Sequence, residues 1–65
     1  MENLVTEIEK RIESNNRAKK MFYNKMENTT DDKLFEECRI AVTKLSGQNI
    51  AFEQVLGIIL SDESE

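Results

Sequence analysis

The 65-residue chain contains no histidine and no tryptophan, one cysteine and two glycines. Each shortage removes a class of function. Without histidine the usual general base at neutral pH is missing. A zinc site would have to rely on Cys38 and carboxylates, a poor ligand set. Cys38 cannot form a disulfide within one chain, and with no histidine to activate it, it is no candidate nucleophile. Gly47 and Gly57 stand ten residues apart and make no phosphate-cradling loop. Carboxylates are paired at Asp31/Asp32, Glu36/Glu37 and Asp62/Glu63. The first two pairs fall at or near the start of an expected helix, where acidic side chains suit the dipole, and the third lies in an acidic C-terminal stretch. Thr30-Asp31-Asp32 lacks the alternating ligands, central glycine and terminal glutamate of an EF-hand loop. The expectation is therefore a protein that is not an enzyme, with no catalytic residue, no cofactor and no metal.

Long hydrophobic runs are missing too. The longest, residues 55–60, is far short of the ~20 residues of a membrane span. The N-terminal residues are acidic and carry no apolar export segment. Together with a lone free cysteine this points to a reducing, cytoplasmic setting. Binding to a membrane surface is not expected, because the polar face of the first helix mixes both charges.

What the chain does have is helical periodicity. Residues 1–28 contain no glycine or proline. Leu4, Val5, Ile8, Ile12, Phe22, Tyr23 and Met26 fall in one arc of about 100° on a helical wheel. This predicts one long helix over residues 2–28, with its stripe interrupted at mid-height by Asn15 and Lys19. Asn28-Thr29-Thr30-Asp31-Asp32 reads as a turn, with Asn28 ending the first helix and Thr30 or Asp31 capping the next. A second helix is expected over 31–45, with Leu34, Phe35, Cys38, Ala41, Val42 and Leu45 on one face. Cys38 sits at the centre of that face as a small buried hydrophobe. Ser46-Gly47-Gln48-Asn49 reads as a second break, with Gly47 ending one helix and Asn49 capping another. A third helix then covers 50–60, followed by an acidic tail over 61–65.

These spans predict an all-α fold as a single domain over residues 1–60. One long N-terminal helix is packed by two shorter ones, a helical hairpin plus a third helix. So short a chain gains stability by self-association, and the third helix is apolar around most of its girth. A helical-bundle homodimer is expected, with Phe52, Val55, Leu56 and Ile59 in the self-association surface. Asn15 and Lys19 mark a seam where the first helix faces the polar loop or its copy.

Function points to protein recognition by a small regulator, adaptor or inhibitor. Lys10, Arg17, Lys20 and Lys25 form a basic edge on the first helix and are the candidate partner contacts. The alternative is a nucleic-acid accessory or transcriptional regulatory role for the same edge. That alternative is disfavoured by the net charge of −4. It also finds no basic side chain between Ile50 and Leu60 to present to a groove.

Overall fold

The computed structural model describes residues 2–63. It is an all-helical hairpin: α1 spans Glu2–Asn28 and α2 spans Asp32–Glu63, packed side by side. The hairpin measures 52 × 15 × 12 Å.

α1 is sustained by its composition and by pairs one turn apart. Glu7–Arg11 at 3.5 Å and Glu13–Arg17 at 3.1 Å are both i,i+4 ion pairs in the favourable order. The Asn28 side chain donates to the Asn24 carbonyl at 2.8 Å, folding back on the last turn. The turn is short because its side chains replace missing helix bonds. The Asp31 N–H donates to Thr29 Oγ1 at 3.0 Å. Asp31 Oδ1 accepts from the N–H groups of Lys33 and Leu34 at 2.9 and 3.3 Å. Asp31 is thus the N-cap of α2, and its own carbonyl receives the Phe35 N–H at 3.0 Å.

The expected break at Ser46–Asn49 does not occur, and the expected second and third helices are one. α2 runs through these residues without interruption. Local preference is against this, since serine, glycine and asparagine each disfavour a helix interior by up to about 1 kcal/mol. Packing decides otherwise. The side chains on the α1-facing stripe of α2 recur at alternating three- and four-residue steps: Phe35, Cys38, Val42, Leu45, Asn49, Phe52, Leu56, Ile59. That rhythm crosses the supposed loop unbroken, as a coiled-coil seam requires. Gly47 points outward, has no left-handed φ, and a methyl group there would meet nothing within 4 Å. It therefore has no role in a turn. The residues expected as a tail also join the helix as far as Glu63, while Ser64 and Glu65 lie outside the described residues.

α1 keeps the same rhythm through Val5, Ile8, Ile12, Asn15, Lys19, Phe22 and Met26. The register is pinned at mid-height, where Asn15 meets Asn49. Neighbouring rungs then pair Ile12 with Phe52 and Lys19 with Leu45. The core is thin. Among the described residues only Ile8, Cys38, Val42 and Ile59 are buried apolar side chains.

Candidate interaction surfaces

The polar rung is where the two helices are most specifically matched. Asn15 uses both hydrogens of its amide: one goes to Gln48 Oε1 at 3.1 Å, the other to Asn49 Oδ1 at 3.0 Å. Asn49 in turn donates from Nδ2 to Asn16 Oδ1 at 2.9 Å. Asn49 is only 7% exposed and is the one buried polar residue among those described. No buried side-chain polar atom among the described residues lacks a partner, so this layer meets the condition for burying amides. A slip of the seam by one rung would leave the Asn49 amide facing an alkyl group, so the layer sets the register.

The rung also defines two unlike flanks. Gln48 lies on one side of the seam and Asn16 on the other. On the Asn16 side, Glu9, Glu13 and Glu53 rim a groove of about 380 Å³ floored by Ile12 and Leu56. This flank as a whole carries Glu9, Glu13, Glu27, Asp32, Glu36 and Glu53 against Lys20 and Arg39. Arg39 donates from Nε to both Glu36 oxygens at 3.0 and 3.1 Å and forms an ion pair with it. The Glu36 carboxyl is held below its ordinary value, mainly by this hydrogen bond; desolvation opposes it, and the guanidinium charge adds a lesser downward pull.

The Asn16 side also exposes Tyr23, Ile50 and Leu60, and the Gln48 side differs from it mainly in charge. Leu4, Met21, Leu34, Val55 and Ile58 all lie on the Gln48 side and all are exposed. Its charges are Glu7, Glu37 and Asp62 against Arg11, Lys25 and Lys44, so they cancel.

The residues of the expected basic edge do not form one patch. Lys10 and Arg17 share the outer face of α1, and Arg17 is tied to Glu13. Lys20 falls on the acidic flank. Lys25 falls on the apolar flank, with its ammonium 5.8 Å from the centroid of the Phe22 ring. Of the residues expected in self-association, Phe52, Leu56 and Ile59 occupy the seam within the chain. Asn15 belongs to the polar rung and Lys19 is half-buried beside it, while Val55 stands exposed. Sequence reasoning missed Gln48 and Asn49 as partners of Asn15. The signal was present in the three-four rhythm, which puts Asn49 on the seam opposite Asn15.

No group of three or more metal-ligating side chains comes together among the described residues, and no helix there is long and apolar enough to cross a membrane. No protein-family model, curated protein or solved structure matches this chain.

Proposed function

We propose that the hairpin is a non-catalytic protein-binding module, a small regulator, adaptor or inhibitor that also self-associates. One observation carries this reading. Among the described residues ten large hydrophobic side chains are exposed while four apolar residues are buried. A hairpin with so many large apolar side chains outside gains stability when another helix covers them. The absence of histidine and the inert placement of Cys38 in the seam, 3% exposed, favour recognition over chemistry. Nucleic-acid binding has less support, because the four basic residues of the expected edge point in three directions.

The reading is tested by thermal unfolding and sedimentation over a wide concentration range, with an apolar dye as reporter of open surface. Association or partner-dependent stabilisation is the expected result. A folded chain whose stability is independent of concentration, which binds no dye and is stabilised by no helical partner, overturns it.

A further inference from the structure

We infer that the flank bearing Leu4, Met21, Leu34, Val55 and Ile58 docks a second copy of this chain, so that two hairpins form a four-helix bundle. The inference rests on the protein-binding reading above and names the surface and its occupant.

The first argument is the width of the apolar pattern. A two-stranded coiled coil needs apolar residues only along its seam, whereas a helix in a bundle needs one further column beside the seam. Beside the α2 seam that further column reads Leu34, Ala41, Gln48 and Val55, with Ala51 and Ile58 next to it. Ala41 in it and Ala51 beside it keep its middle small, which lets another helix approach closely.

The second argument is charge. A surface of one sign repels its own copy, as the acidic flank would. This flank carries three acidic and three basic side chains, so the pairing of two copies brings no net repulsion, and opposite charges are available for contact at its rim. The chain as a whole stands at −4. Its charge excess lies away from this surface.

The flank also has the reach: two copies laid side by side can share the hairpin's 52 Å length, the geometry of a four-helix bundle.

The test compares two surfaces of equal exposure. Ile58, on the proposed interface, is 64% exposed, and Ile50, on the opposite flank, is 58% exposed. Any difference between them must therefore come from a partner. Sedimentation of the wild-type chain at micromolar concentration is expected to give twice the 7.6 kDa chain mass. Val55→Glu with Ile58→Glu is expected to give single chains, and Ile50→Glu to leave the dimer intact. A monomeric wild type that still binds a different helical protein overturns this inference and leaves the protein-binding reading standing. Dissociation by Ile50→Glu alone also overturns it. Should the double variant fail to fold, methyl NMR of the wild type with a soluble paramagnetic agent decides. Shielding of Leu34, Val55 and Ile58 relative to Ile40 and Ile50 is the expected result, and equal attenuation at all five contradicts the interface.

Discussion

The two flanks of the hairpin are built on the same seam, from the same two helices, and differ most in charge. One is apolar with balanced charge. The other is acidic, and its open groove has an apolar floor rimmed by Glu9, Glu13 and Glu53. The difference teaches that the face each helix turns to the seam does more than hold the helices together: it decides which columns of side chains line each surface. The asparagine rung fixes which residues then stand opposite one another.

Breaking the rung is expected to give the largest effect of a single truncation. Asn49→Ala removes one partner of half-buried Asn15, which keeps Gln48, and the partner of exposed Asn16. It should cost about 1–3 kcal/mol in urea unfolding, the net worth of the two hydrogen bonds lost. Replacing both Asn15 and Asn49 with leucine should be near neutral or stabilising in the same assay, because no buried amide is stranded across the seam. The double variant should lose its fixed register, read as altered association by sedimentation. A double variant as unstable as Asn49→Ala would show that the rung contributes shape rather than hydrogen bonding.

A gain of stability without change to either flank comes next. Gly47 faces outward with open space around it, so Gly47→Ala should stabilise α2 by about 0.5–1 kcal/mol through reduced freedom of the unfolded chain. Thermal unfolding by circular dichroism measures it. A loss instead would mean that the helix needs to bend at this point.

The acidic flank can be sharpened by charge. Glu53→Lys sets a cation among Glu9 and Glu13 and should raise stability at low ionic strength by a few tenths of a kcal/mol. The gain should fade in high salt. The equivalent change on the balanced flank, Glu37→Lys, should show no such gain.

The smallest effect is a pH dependence on the acidic flank. The folded-state pKa of Glu36 is lowered by Arg39, so folding favours the ionised carboxylate. Its contribution is present above the unfolded-state pKa and is lost as pH falls through the depressed folded value. Carboxyl-carbon NMR should find Glu36 titrating below the ordinary glutamate value, and Arg39→Gln should raise its midpoint.

Much of this architecture is legible in the residues, and the division between what is and what is not has a physical cause. α1 and the turn after it are set by local signals: an uninterrupted helical composition, then Asp31 reaching two amides beyond itself. The continuity of α2 is not local. Ser46-Gly47-Gln48-Asn49 carries every short-range mark of a break, and what overrides them is a contact with residues more than thirty positions earlier. The expectation that a polar feature of α2 sits beside Asn15 holds, with a helix in place of a loop. The two flanks are beyond the reach of either helix read separately, since each surface is assembled from both. Lys20 and Lys25, about 140° apart on the wheel of α1 at 100° per residue, end on surfaces of opposite character once the seam between them is known.

The tight turn at Thr29–Asp31 has a kinetic consequence. Every rung of the hairpin closes a loop through that turn, so the length of chain each rung must order grows steadily with distance from it. Contacts beside the turn close short loops at small entropic cost, and those near Leu4 and Ile59 close nearly the whole chain. Folding should therefore run as a zipper from Asp31 outward, with the asparagine rung as its midpoint checkpoint. Amide exchange should accordingly be slowest around Cys38 and Val42 and fastest toward the far end of the hairpin.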